Sequence, residues 1–133
     1  MNARLSSSPV AMAVSFMDCI NRGDIDGLGA LMHDDHELHI FDEPPTVGRE
    51  ANIRAWEGYA AAFPDYLVLP SHMAARGTTA AVLGTTAGSH LGLPDEAEMK
   101  LTLIWLCEIA DGKVLRWNLI ADTDADRSRW ELG

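Results

Sequence analysis

Lys100-Leu-Thr-Leu-Ile-Trp-Leu-Cys-Glu-Ile-Ala-Asp-Gly-Lys-Val-Leu-Arg-Trp-Asn-Leu-Ile-Ala-Asp-Thr123 is the stretch that decides the fold. It reads as two long strands joined at Ala110-Asp111-Gly112, because aspartate-glycine between alternating apolar runs is a hairpin signal. Loop length decides which residues share a face. A two-residue loop pairs Ala110 with Lys113 and sets Trp105 opposite Asn118. A three-residue loop, with Gly112 left-handed in a bulge, pairs Ile109 with Lys113. Trp105 then faces Trp117, Cys107 faces Leu115 and Leu103 faces Leu119. A one-residue slip divides the odd-numbered apolar residues between two faces, so the bulged turn is the expected one.

Composition narrows the class. The 133 residues fit a single domain, expected to span 1–133 with residues 1–8 loose, and long enough to bury a core without staples. Ten basic against twenty acidic residues leave a net charge of −10. Phosphate backbones and anionic bilayers both require a basic surface, so neither nucleic acid nor membrane is an expected partner. Cys19 and Cys107 lie inside apolar patterns on separate elements and read as buried thiols. No apolar run approaches the ~18 residues of a membrane span. The first residues lack the charged, apolar and small succession of a signal peptide, which makes the cytoplasm the expected setting.

Ser8-Pro9 starts a helix, with serine as cap and proline at the first helical position. Val10, Ala13, Val14, Met17 and Ile20 continue it at helical spacing. Asp24 caps a short second helix carrying Leu28, Leu31 and Met32. Residues 36–42 alternate as a half-buried strand, with His36, Leu38, Ile40 and Asp42 on one face, and Pro44-Pro45 stops it. Arg49 to Phe63 is a third helix with Ile53, Trp56, Ala60 and Phe63 in one stripe, beside Tyr59. Tyr66–Ala75 and Thr79–Ser89 are strands, and Gly84 and Gly88 mark bulges or bends. The expected class is therefore α+β: a curved, cone-shaped antiparallel sheet wrapped against three N-terminal helices, enclosing an apolar pocket.

Six pieces in order now carry a resemblance: Asn21-Arg-Gly-Asp-Ile-Asp-Gly-Leu28, Asp34-Asp35, Gly48-Arg-Glu-Ala-Asn-Ile-Arg54, Ala62-Phe-Pro-Asp65, Gly84-Thr-Thr-Ala-Gly-Ser-His90 and Ile109-Ala-Asp-Gly-Lys-Val114. Together they resemble the nuclear-transport-factor-2-like domains, and within them the SnoaL-like polyketide cyclases and the ketosteroid isomerases. The resemblance implies a pocket for a small hydrophobic ligand, no cofactor, and a homodimer built through the outer sheet face. That fold serves isomerases, cyclases, epoxide hydrolases, dehydratases and non-catalytic binding proteins. The cyclases carry a catalytic aspartate on the last strand, where this chain has Leu119, and epoxide hydrolases place one at the same spot. The cyclases' assisting histidine falls on Trp105, and the isomerases' oxyanion tyrosine on Phe16. The pocket is kept while most of the known acids and bases are absent.

The chain's own candidates follow. Asp42, ending a strand whose inward residues are Leu38 and Ile40, is the candidate base, because an apolar rim raises a carboxylate's pKa. His90, between strand and loop, is a candidate acid or base. Phe16, Trp56, Tyr59, Leu103, Trp105, Trp117 and Leu119 are candidate ligand contacts. An indole donates and cannot accept, so Trp105 suits an oxyanion and not a proton abstraction. The run His33, Asp34, Asp35, His36, Glu37 and His39 places its imidazoles on opposite faces, so no metal site is expected. The activity expected is cofactor-independent cyclase or isomerase chemistry on a hydrophobic carbonyl compound. The alternatives are a non-catalytic binding domain and, least favoured, an epoxide hydrolase. Even-numbered Ile104, Leu106 and Ile120 leave an apolar back on the ribbon for a dimer partner to cover.

Overall fold

A computed structural model describes residues 8–133; most of the segment expected to be loose, residues 1–7, lies outside them. Helix α1 (Pro9–Arg22) starts where Ser8 Oγ accepts from the Ala11 amide at 3.1 Å, and it stops at Gly23, whose φ is 67°. Helix α2 (Ile25–Leu31) follows at once, because Asp24 Oδ1 accepts from the Gly27 amide at 2.9 Å. Strand β1 (Met32–Ile40) begins without a loop. A two-residue strand β2 (Thr46–Val47) folds back on it, and helix α3 (Arg49–Ala62) runs to the proline expected to end it. Strands β3 (Leu67–Arg76) and β4 (Thr79–Ala87) form a hairpin. One helical turn, α4 (Asp95–Glu98), precedes strands β5 (Leu103–Ala110) and β6 (Lys113–Ala121), and helix α5 (Asp124–Arg129) leads into the tail.

The six strands form one curled, unclosed sheet in the order β2-β1-β6-β5-β4-β3. All neighbours are antiparallel except β1 and β6, which run parallel. Helices α1 to α3 pack on one face, around a core that includes Phe16, Leu28, Val68, Val82, Trp105 and Trp117. The α+β cone is the architecture the alternation implied. Its tight points are the two strand glycines. A Cβ on Gly84 would lie 2.5 Å from the Leu69 carbonyl oxygen, where β3 bulges between Pro70 and His72. At Gly88, φ is 67° and a Cβ would strike the Asp65 carbonyl, so only glycine lets β4 leave the sheet there.

The hairpin corrects the expected register. Its loop has two residues, Asp111 and Gly112, with φ of 53° and 72°, and Ala110 pairs with Lys113. Both left-handed residues give the primed turn that matches strand twist. The extra residue sits inside β6 instead of the turn: Ile109 pairs with Val114 and Glu108 with Arg116, which leaves Leu115 over. This bulge restores odd parity beyond it. Trp105 therefore lies opposite Leu119, and Cys107 opposite Trp117. The two indoles share the inner face as expected, but they are offset and not directly paired.

The outer face also departs from expectation. Ile104 is fully buried, and Leu132 at 2% exposure covers it together with Ala81 and Leu83. Leu106, Ile120 and Trp130 pack around that cluster, and the Arg76 guanidinium lies 5.7 Å from the Trp130 ring centroid. The chain's own tail thus covers Ile104 in the apolar back expected to face a dimer partner, and leaves Leu106 and Ile120 partly buried. Asp122, held by both guanidinium contacts of Arg127 at 2.6 Å, anchors the start of that tail.

Candidate functional site

Where α1 gives way to α2 beneath α3, a cavity of about 350 Å³ opens. Ile20, Ile25 and Leu28 form its aliphatic side, and Trp56, Tyr59, Phe63 and Tyr66 its aromatic side. Helical spacing puts Trp56, Tyr59, Ala60 and Phe63 on one face of α3, and Pro64 ends the helix so that Tyr66 turns back toward it. The Tyr59 and Tyr66 rings meet edge to face at 5.0 Å, and Trp56 meets Tyr59 likewise at 6.2 Å. Among the described residues Arg22 is the one charged residue on the rim, and Asp18 at 3.0 Å and Asp24 at 3.5 Å already pair with it. The lining therefore favours a neutral, largely apolar ligand. The volume lies near the lower end of the roughly 300–1,000 Å³ common for ligand pockets.

Tyr59 Oη carries the polar chemistry. The His90 amide donates to it at 3.2 Å, and its own proton faces His90 Nδ1 at 2.9 Å. A phenol oxygen accepts and donates, so with the His90 proton on Nε2 the Tyr59 hydroxyl donates to Nδ1 while accepting from the amide. The imidazole also packs against Phe63, with centroids 6.2 Å apart. Burial holds the Tyr59 phenol above the usual range, and the nearby Glu98 charge adds to it against opposing hydrogen bonds from His90 and Ser89. Tyr66 is pushed up further, again chiefly by burial, with Tyr59 and Glu98 adding. Both phenols therefore stay neutral near pH 7.

Glu98 was not singled out from the sequence. It sits in an acidic run, Asp95-Glu-Ala-Glu98, that reads as a solvated loop, yet its residue exposure is 1%. Its carboxyl group accepts from the Thr86 hydroxyl and from the Ser89 amide at 3.4 Å. It thereby fixes the backbone next to His90. The only signal available was the one-turn helix, which folds the last acid of the run inward.

The expected site residues divide into three groups. Trp56 and Tyr59 line the cavity, and His90 bonds to Tyr59 at its rim. Phe16, Trp105 and Trp117 are 0–2% exposed and fill the core instead of lining this cavity; Phe16 packs on Trp117 at 4.7 Å. Leu103 and Leu119 pack against the same core, partly buried. Asp42 is exposed in the turn after β1. The positive φ of Phe41, 49°, breaks the alternation that placed Asp42 in line with Leu38 and Ile40. The exposed Asp42 carboxylate therefore lacks the burial on which its reading as a base rested. Cys107 is buried and its thiol is pushed up to about 12 by that burial, which makes it inert. Among the described residues, no three His, Cys, Asp or Glu side chains group as metal ligands, and no helix is long and apolar enough to cross a membrane.

The family model described as SnoaL-like domain matches residues 13–117. No curated protein matches the sequence. Among solved structures, a candidate polyketide cyclase from Sinorhizobium meliloti superposes with a TM-score of 0.68 at 22% identity, over 81% of this chain and 92% of that one. A cystatin-fold protein from Novosphingobium aromaticivorans gives 0.72 at 16% identity, over 85% and 97%. A candidate ketosteroid isomerase from Kribbella flavida gives 0.65 at 20%, over 85% and 76%. At these identities the likeness is one of fold.

Proposed function

The chain belongs to the SnoaL-like domain family, and from that premise we propose that its cavity binds a small, neutral, carbonyl-bearing hydrophobic molecule and isomerises it without a cofactor. The Tyr59–His90 pair is the acid and base. The observation that carries this reading is the 2.9 Å contact between Tyr59 Oη and His90 Nδ1 at the edge of an aromatic cavity. A ketone oxygen arriving beside Tyr59 competes for the phenol proton. Turning that proton to the ketone frees the Nδ1 lone pair for the α-proton. The C–H electrons move through the new C=C bond to the carbonyl oxygen, the enolate oxygen is held by a hydrogen bond from the Tyr59 hydroxyl, and His90 returns the proton at the same or a conjugated carbon. An imidazole is suited to this near neutral pH. Names given to the fold neighbours, polyketide cyclase and ketosteroid isomerase, belong to the same enolisation chemistry.

A second reading, a binding domain without chemistry, is favoured by one observation: no carboxylate among the described residues lines the cavity. Exchange of α-protons for deuterium in cyclohexanone, acetophenone and 1-tetralone, followed by NMR, separates the two. Enzyme-dependent exchange that falls roughly 10²–10⁴-fold in both Tyr59→Phe and His90→Ala supports the acid–base pair. Quenching of tryptophan fluorescence by the same ketones with no exchange supports the binder.

A further inference from the structure

Three buried polar atoms on α3 and β1 have no hydrogen-bond partner among the described residues: His36 Nε2, Asn52 Oδ1 and Trp56 Nε1. His36 and Asn52 are both 0% exposed. Asn52 and Trp56 stand one turn apart on the same side of α3. The Asn52 amide reaches the His36 carbonyl at 3.1 Å, which brings the two elements together at this point.

Roles are fixed by the neighbours. His36 Nδ1 lies 2.7 Å from the Val114 carbonyl oxygen, which can only accept, so Nδ1 carries the proton. Burial pushes the His36 pKa down, against that hydrogen bond, so Nε2 presents a bare lone pair. Asn52 Nδ2 faces three carbonyls, those of His36, Thr46 and Gly48, at 2.8 to 3.1 Å. The amide therefore cannot be flipped, and Oδ1 is a true acceptor. An indole nitrogen only donates. The remaining orphan atom, Arg116 Nε, lies 3.6 Å from Glu37 Oε1 and belongs to that ion pair.

We infer that the α3–β1 contact holds one buried water molecule, which donates to His36 Nε2 and Asn52 Oδ1 and accepts from Trp56 Nε1–H. The set is two acceptors and one donor. Water supplies two protons and a lone pair, and about three bonds is usual for an internal water. A ligand hydroxyl has one proton and leaves an acceptor bare. A metal cation or ammonium ion gives the indole N–H nothing to donate to, and an anion gives the two acceptors nothing to accept. The water also has a use. The Trp56 ring is a wall of the cavity and packs edge to face on Tyr59, so the bond to its nitrogen sets the angle of that wall.

The wild-type protein decides the matter, in a crystal structure that resolves ordered water and in NMR at pH 7. The expected result is a peak roughly 2.7–3.2 Å from all three atoms. It should be joined by cross-relaxation between a long-lived water and one indole N–H, which is assigned to Trp56 by its loss in Trp56→Phe. The His36 ¹⁵N shifts should show Nε2 unprotonated. In Trp56→Phe crystals the peak should stay on His36 and Asn52. Protein donors closing on Nε2 and Oδ1 with no peak between them would overturn the proposal. So would a protonated Nε2, or a Trp56 N–H without contact to water.

Discussion

Replacing Glu98 by alanine tests how the cavity rim is built. Glu98 and Thr86 are 1% and 5% exposed, so neither partner regains water when the other is lost. The substitution removes the acceptor of the Thr86 hydroxyl and of the Ser89 amide. A hydrogen bond to a charged group contributes about 1.5–3 kcal/mol, and a buried donor left unpaired costs about 1–3 kcal/mol. The Ser89 contact is long, at 3.4 Å, and counts for less. Glu98→Ala is therefore expected to lose about 2–4 kcal/mol. At this chain length a kcal/mol corresponds to about 3–5 °C in Tm, so melting should fall by about 10 °C. Urea unfolding followed by circular dichroism measures it, and a double-mutant cycle with Thr86→Val isolates the pair. Removing the charge should also lower the Tyr59 and Tyr66 titrations, which phenolate absorbance follows. A change below about 0.5 kcal/mol with zero coupling to Thr86 would refute a buried, bonded Glu98, since such values belong to surface substitutions.

Other expectations follow from single contacts. Gly88→Ala should cost about 3 kcal/mol or more in urea unfolding, because a left-handed φ is joined by a clash with the Asp65 backbone, whereas Gly112→Ala, with open space around it, should cost only about 1–2 kcal/mol. His36 has a folded pKa below its unfolded value of about 6.5, so the unfolded chain binds more protons as pH falls beneath that value. Its contribution is complete above about pH 6.5 and is lost below it, at up to about 1.4 kcal/mol per pH unit, and His36→Leu should flatten that part of the stability profile. Leu132→Ala, at a site 2% exposed, should cost about 2–4 kcal/mol. Removing residues 124–133 should raise self-association in sedimentation velocity, because Ile104 and Leu83 lose their cover.

The fold was legible where side-chain pattern and backbone requirement coincide. Asp111-Gly112 announces its turn, the odd-numbered residues of β5 announce the inner face, and Ser8-Pro9 announces α1. Pairing was not legible, because the bulge at Leu115 leaves apolar residues on both sides of it and has no residue signature. The candidate site was half legible. Tyr59 and His90 were candidates on separate elements 31 residues apart, and only the fold shows that they touch. Asp42 lies exposed after one backbone angle at Phe41 that local sequence does not announce. Glu98 was hidden because burial of an acid is decided by tertiary packing and not by its neighbours in sequence.

Crystals soaked with 4-iodoacetophenone provide the most direct test of the proposed site, since the iodine marks the ligand by anomalous scattering. The expected result is an iodine peak among Ile20, Leu28 and Phe63, with the ketone oxygen within hydrogen-bond reach of Tyr59 Oη and its methyl group toward His90 Nδ1. A ligand lodged instead among Phe16, Trp105 and Leu119 at the centre of the cone, or one that leaves the Tyr59–His90 bond untouched, would contradict it.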